Sequence, residues 1–331
     1  MLGMGLTVAV TGPTGEIGVS AVAALENEPS VQRILGMARR PFDPAAHGWR
    51  KTSYRRGDIL DRAAVDDLVA EADVVVHLAF VVLGSRAESE RVNLAGTRNV
   101  FEATSAAQRP KRLVYTSSVA AYGYHADNPV PLTEDVPTRG SDEHYYSQQK
   151  AACEAALHDV TGDDTDLEVY LLRPCIVAGP RATALADAMP WNKLPATLQS
   201  VTRAVPILKP LVPDPGRTLQ LVHHDDVANA IALAATTTTA PSGAYNIAGD
   251  GDVSFGEVVS ALGGRPVPVP EISVAAASAM LARLPFVPST AEWLHIGRTS
   301  MVMDIDRAHD VLGWRAKYTA RQTLDDLAGA R

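Results

Sequence analysis

Near the N-terminus a short apolar, β-branched run, Leu6–Thr11, ends in the segment Thr11-Gly12-Pro13-Thr14-Gly15-Glu16-Ile17-Gly18. An apolar run bounded by glycines reads as a buried strand. Glu16–Glu26 then reads as a helix with Ile17, Ala21, Ala24 and Leu25 on one side. Strand, tight glycine turn and helix in succession open a βαβ nucleotide unit. The glycines let backbone approach a pyrophosphate, whose charge then sits at the helix N-terminus. The spacing is Gly-x-x-Gly-x-x-Gly rather than Gly-x-Gly-x-x-Gly, and a glycine-rich loop can follow any strand. The strand and helix on either side give the motif its weight. Gly12, Thr14, Gly15, Glu16, Ile17 and Gly18 are therefore the first expected cofactor contacts.

At 331 residues and 46% hydrophobic content the chain can build one large α/β domain, or a core plus a lobe. No apolar run reaches membrane-spanning length, and no basic segment followed by an apolar one marks the N-terminus. Cys153 and Cys175 are the only cysteines, too few for a disulfide framework or a cysteine metal site. These features set a cytoplasmic location as the expectation, with no membrane partner. A formal net charge of −8 argues against nucleic acid.

Apolar runs alternate with amphipathic ones through the first half, which predicts a doubly wound parallel sheet covered on both faces. Expected strands are Leu6–Thr11, Arg33–Ala38, Thr52–Arg56, Val74–Leu78, Arg112–Thr116 and Glu168–Leu172. Expected helices are Glu16–Glu26, Arg62–Ala70, Glu88–Ala107 and Glu143–Val160. After Arg173-Pro174 prolines become dense, from Pro190 to Pro215, and the pattern suggests a smaller, mostly helical substrate lobe. Leu219–Val222, Asp225–Ala235 and Ala244–Ile247 read as strand, helix and strand returning to the sheet. The expected division is a Rossmann-type domain over 1–174, rejoined by 219–248, and a lobe over 175–218 and 249–331.

The strand Arg112–Thr116 runs into Ser117-Ser118-Val119-Ala120. Ligands of open parallel sheets bind beyond the carboxyl ends of the strands, so Ser118 stands where a substrate oxygen can lie. Tyr146 and Lys150 are four apart and share a helix face. A nearby ammonium is expected to lower the tyrosine pKa from about 10 and tune Tyr146 to exchange a proton with an alcohol or carbonyl. Tyr and Lys at this spacing are common on exposed helices; the glycine turn and Ser118 single out this pair.

These segments resemble the extended short-chain dehydrogenase/reductase family, also called the NAD-dependent epimerase/dehydratase family. The resemblance runs over nearly the whole chain. It is carried by Thr11–Gly18, Gly57-Asp58-Ile59, His77-Leu78-Ala79, Asn93-Leu94-Ala95-Gly96-Thr97, Thr116-Ser117-Ser118, Tyr146 to Lys150, Leu172-Arg173-Pro174, His224-Asp225-Asp226-Val227-Ala228 and Leu312-Gly313-Trp314. It implies catalytic roles for Ser118, Tyr146, Lys150 and Asn93, with Lys150 also on the nicotinamide ribose and Asn93 near the active site. It implies Asp58 at the adenine, with Ile59, Leu78, Ala79 and Pro174 among the cofactor contacts. Many members are dimers joined by a four-helix bundle, which here implies a homodimer through helices 88–107 and 143–160.

An acid at the end of the second strand holds the adenosine ribose and favours NAD. Val31–Pro41 contains no Asp or Glu and ends in Arg39-Arg40-Pro41. Two guanidiniums suit a 2′-phosphate, so NADP(H) is favoured, with NAD(H) open. Arg39 stacked on adenine with Arg40 in solvent is the plainer alternative. Dehydratases of the family place Asp-Glu after the catalytic serine or threonine, where Val119 and Ala120 stand, so dehydration is not expected. Epimerases carry an asparagine after Leu-Arg, absent from Pro174–Pro180. They also carry an arginine at the start of the strand before Asp-Asp-Val-Ala, where Leu219 stands; Arg217 is two residues early but close, which leaves a diphosphate grip open. Phe80-Val81-Val82-Leu83, and Met189, Trp191, Leu194, Leu198, Ile207, Leu208 and Leu211 in the lobe, suggest a small, moderately apolar substrate, although most of them also suit a lobe core. The leading expectation is an NADP(H)-dependent oxidoreductase acting on a carbonyl or alcohol. The alternatives are an NAD-dependent nucleotide-sugar epimerase and a non-enzymatic NADP sensor. His223-His224-Asp225-Asp226 fits a helix N-terminus better than a metal site. Tyr124-His125 is either pocket wall or exposed loop.

Overall fold

The computed structural model describes residues 5–82, 89–162, 166–193, 209–270 and 299–330. A seven-stranded parallel sheet organises it. The strands are β1 (Leu6–Thr11), β2 (Val31–Ala38), β3 (Thr52–Arg56), β4 (Val74–His77), β5 (Arg112–Thr116), β6 (Glu168–Pro174) and β11 (Gly243–Ile247). Their order is β3-β2-β1-β4-β5-β6-β11, all pairs parallel. The chain winds outward from β1 in one direction, then from β4 in the other. The crevice for a ligand therefore opens at the carboxyl ends of β1 and β4.

Strand β1 shows why the sequence runs apolar without alternation. Val8 and Val10 enter the core on one face, with Ala21 and Leu25 of α1 (Glu16–Asn27) and Ile231 of α5 (His224–Thr236). Ala9 enters the core on the other, with Val65 of α2 (Arg62–Val69), Phe101 of α3 (Thr97–Ala106) and Leu157 of α4 (Tyr145–Thr161). Both faces are covered, so both sets of side chains are apolar.

Helix α4 begins two residues later than the sequence pattern predicts, because His144 caps it: its Nδ1 accepts from the Ser147 N–H at 3.2 Å. The cap places Tyr146 in the first turn. The helix expected over 88–107 is described from Ser89, and Arg91–Gly96 forms a wide π-type turn before α3.

The expected strand Leu219–Val222 does not join the sheet. It divides into β9 (Thr218–Leu219), antiparallel to β12 (Val253–Ser254), and β10 (Leu221–His223), parallel to β7 (Ile176–Ala178). The edge of β6 is already taken by β11, so the return to the sheet belongs to β11 alone. A third pair joins β8 (Leu211–Asp214) to β13 (Arg265–Pro268). These pairs pack with α6 (Phe255–Ala261) and α7 (Ala320–Gly329) around Leu185, Met189, Leu219, Phe255, Val258 and Leu324. Met189 thus belongs to the lobe core and Trp191 packs against it, its indole N–H donating to Leu262 O at 2.8 Å. Leu211 is exposed. Leu83, Leu194, Leu198, Ile207 and Leu208 lie outside the described residues. Among the described residues no helix is long and apolar enough to cross a membrane.

Candidate active site

The glycine turn is shaped by close backbone approach. Gly12 has φ +76° and lies against the Leu78–Ala79 backbone, where a Cβ would come within 2.7 Å of Ala79 N. A Cβ on Gly18 would stand 2.1 Å from Gly12 O, so α1 seats on the turn only with glycine there. Gly15 caps α1 without any side-chain bond, leaving the first N–H groups for an anion. Glu16 turns its carboxylate toward the main-chain N–H groups of Thr183 and Ala184 in the lobe. Burial raises its pKa, and those two bonds act against the rise. The uncapped helix start and the glycine cradle fit a dinucleotide pyrophosphate.

At the end of β2, Tyr54 and Arg56 of β3 hold the turn that carries Arg39 and Arg40. The Tyr54 hydroxyl donates to Ala38 O at 2.8 Å and to Arg40 O, and Arg56 Nε donates to Arg39 O at 2.9 Å. Arg39 and Arg40 are exposed. Asp58 makes a local turn, its Oδ1 accepting from Leu60 N at 3.0 Å, and Ile59 is buried beneath Gly96.

Beyond β5, Ser118 caps a single turn of helix, Val119–Tyr122, by accepting from Ala120 N at 3.2 Å. That turn buries Val119 and Ala120. The Ser118 hydroxyl also lies near enough to the Tyr146 phenol to favour its ionised form. Lys150 Nζ donates to Thr116 O at 3.0 Å and lies 3.8 Å from the centre of the Phe80 ring. Ser118, Tyr146 and Lys150 therefore gather at the carboxyl ends of β4 and β5, beside Pro174 at the end of β6.

The electrostatics correct one expectation. Tyr146 is pushed above its ordinary pKa, not below it, because burial disfavours the phenolate and outweighs the opposing influence of Ser118. Lys150 does not reverse this: its ammonium is held at Thr116 O, 5.9 Å from the Tyr146 ring centre. Burial lowers Lys150 itself from 10.5 to about 8.

A buried polar network supports this end. Glu154, one helical turn beyond Lys150, accepts from Ser117 Oγ at 2.5 Å and from Arg173 at 2.8 and 3.2 Å. Arg173 also donates to the Tyr122 hydroxyl at 2.9 Å, which donates to Asn246 at 2.7 Å. His77 bridges Thr11 at 2.6 Å and Thr97 at 3.0 Å, and burial, then Lys150, lowers its pKa to about 3. The sequence reading missed this network; the spacing of Lys150 and Glu154 was its available signal.

Asn93 is buried, and its amide is occupied by the loop after β4. It accepts from Val81 N at 2.8 Å and donates to Val81 O at 2.9 Å and Gln149 Oε1 at 2.7 Å. Its part is to fix the Phe80–Val81 backbone. His125 bonds Gly140 O at 2.6 Å, while Tyr124 packs against His144. His223 caps α5 by accepting from Asp225 N at 3.2 Å, and His224 Nδ1 meets Ser20 at 2.9 Å and Asp225 at 3.0 Å. The side chains of His223, His224 and Asp225 come within 4.8 Å of one another, close enough for an ion. The Nδ1 atoms of the two histidines already have protein partners.

A model of the NAD dependent epimerase/dehydratase family matches residues 8–248. An uncharacterized protein of Mycobacterium tuberculosis is 27% identical over 334 residues, covering 98% of this chain and 84% of that one. Sterol demethylase protein B of Methylococcus capsulatus is 31% identical over 190 residues, covering 53% of this chain and 52% of that one. Among solved structures, MoeE5 in complex with UDP-glucose and NAD superposes with a TM-score of 0.71 at 25% identity, covering 98% of both chains. The Bordetella bronchiseptica enzyme WbmG in complex with NAD gives 0.72 at 22% identity, covering 99% of this chain and 94% of that one, a likeness of fold.

Proposed function

This chain belongs to the NAD dependent epimerase/dehydratase family, and from that premise we propose that it is an NADP(H)-dependent reductase or dehydrogenase of a small, moderately apolar carbonyl or alcohol. The observation that carries the reading is the gathering of Ser118, Tyr146 and Lys150 at the carboxyl end of β5, with the Lys150 ammonium 5.9 Å from the Tyr146 ring centre. The chemistry a bound nicotinamide supplies is hydride transfer at the substrate's carbonyl or carbinol carbon. Ser118 orients the substrate oxygen. Tyr146, kept protonated by burial, donates its proton to that oxygen in the reductive direction. Lys150 supplies positive charge to the phenolate that remains, and can hold a ribose hydroxyl.

Arg39 and Arg40, with no acid between Val31 and Pro41, favour a 2′-phosphate and thus NADP(H). NAD is the nucleotide in the MoeE5 and WbmG complexes, and it stands as the broader reading here. Sterol demethylase protein B supports an apolar substrate, since a sterol is an apolar alcohol.

A nucleotide-sugar epimerase is the second reading, favoured by the full-length likeness to MoeE5 with UDP-glucose. Against it, Leu219 is buried in the lobe core, and Gln220 is bonded to the Met303 main chain at 2.8 and 3.2 Å. Neither side chain offers charge to a diphosphate. The test is to denature purified protein, identify any released nucleotide, and titrate untreated protein with NADPH and NADH. Empty protein that prefers NADPH is the expected result. Stoichiometric NAD in the extract would overturn the reductase in favour of the epimerase.

A further inference from the structure

The Lys150 ammonium is surrounded by aromatic rings. Its Nζ lies 3.8 Å from the centre of the Phe80 ring, 5.3 Å from that of Tyr115 and 5.9 Å from that of Tyr146. The residue is 4% exposed, and the ammonium's hydrogen-bond acceptor among the described residues is Thr116 O. A buried ammonium with one carbonyl has lost most of its hydration. The negative face of an aromatic ring replaces part of what water supplied. Phe80 also turns its ring edge-on to Tyr146, with centroids 5.6 Å apart and planes at 84°. One side chain thus touches both members of the acid–base pair, and Asn93 fixes the backbone that carries it.

We propose that Phe80 is a positioning residue for the proton-transfer pair, seating the Lys150 ammonium on its face and bracing Tyr146 with its edge. The assignment rests on reading Tyr146 and Lys150 as the acid–base pair. Leu and Met match Phe80 in apolar bulk but lack its face, so they separate packing from the attraction of the ring for Nζ.

The other groups around the ammonium set the background for a titration. Cys153 and Glu154 lie on the same helix, His77 comes from β4, and Tyr115 from β5. His77 stays neutral with a pKa of about 3, and burial pushes the Cys153 and Tyr115 pKa values upward. Glu154 is paired with Arg173.

The test reads Lys150 directly and needs no substrate. The chain has six lysines, so lysine labelled with carbon-13 at Cε gives a short list of signals, and Lys150→Arg assigns one. In the wild type that signal is expected to titrate near pH 8. Phe80→Leu is expected to lower the midpoint by about one pH unit, because the charged form loses its ring. Phe80→Trp is expected to restore it. Replacing Phe80 with pentafluorophenylalanine keeps the ring shape but reverses the charge of its face, and is expected to lower the midpoint as Leu does. A midpoint that the fluorinated ring leaves unmoved overturns the proposal and reduces Phe80 to packing. NADPH and NADH binding is measured on the same samples. Wild-type protein that binds neither defeats the catalytic reading, whereas normal binding with an unmoved midpoint defeats only the role of Phe80.

Discussion

The two ends of the crevice are built in opposite ways. At the ends of β4 and β5, Ser118, Tyr146 and Lys150 stand on a buried frame of Ser117, Glu154, Arg173 and Tyr122. At the end of β2, Arg39 and Arg40 are exposed, and β3 holds the carbonyls of their turn. Proton transfer needs atoms within hydrogen-bond reach, and small displacements are costly there. Attraction of a guanidinium to a phosphate tolerates movement and works from the surface. The first end is therefore expected to fail abruptly on substitution, and the second by degrees.

Tyr146→Phe removes the transferable proton and is expected to lower kcat by 10²–10⁴-fold, on the order of a general acid's contribution. Nucleotide affinity, measured by fluorescence titration, should hold. An active variant would remove Tyr146 from the mechanism. Next in size comes the frame. Arg173 and Glu154 side chains are 8% and 5% exposed. Arg173→Met strands the carboxylate and is expected to cost about 3–5 kcal/mol in urea unfolding. Adding Glu154→Gln to that variant should recover part of the loss, since the stranded charge is gone. A double variant less stable than Arg173→Met would show that the frame is not held by this pair.

The glycine turn, the strand pattern and the Tyr146–Lys150 helix face were legible because each is local: neighbouring residues impose them. What was not legible depends on residues far apart. Phe80 meets Lys150 across seventy positions, and Arg173 meets Glu154 only after β6 has entered the sheet. Helical spacing revealed a lysine near a tyrosine, but the direction of the tyrosine's shift was set by burial, which spacing does not report. The break between β9 and β10 was hidden for a similar reason. Leu219–Val222 is a sound strand sequence, and its partners were chosen by edges occupied elsewhere.

The smallest effect tests the exposed end. Each arginine that pairs with a phosphate adds a charge-assisted bond, weakened here by solvent and salt. Arg39→Ser with Arg40→Ser is expected to reduce NADPH affinity about tenfold, about 1.4 kcal/mol, and to leave NADH affinity unchanged. Arg56→Gln should have a smaller effect, because its Nε is already engaged by Arg39 O. Salt sharpens the distinction: raising ionic strength should weaken NADPH binding in the wild type and flatten toward the NADH response in the double variant. Equal loss of both nucleotides would mean that the arginines hold a part the two share, such as adenine. The carboxyl end of β2 would then bind either cofactor, and the NADP(H) proposal would fall while the buried end kept its chemistry.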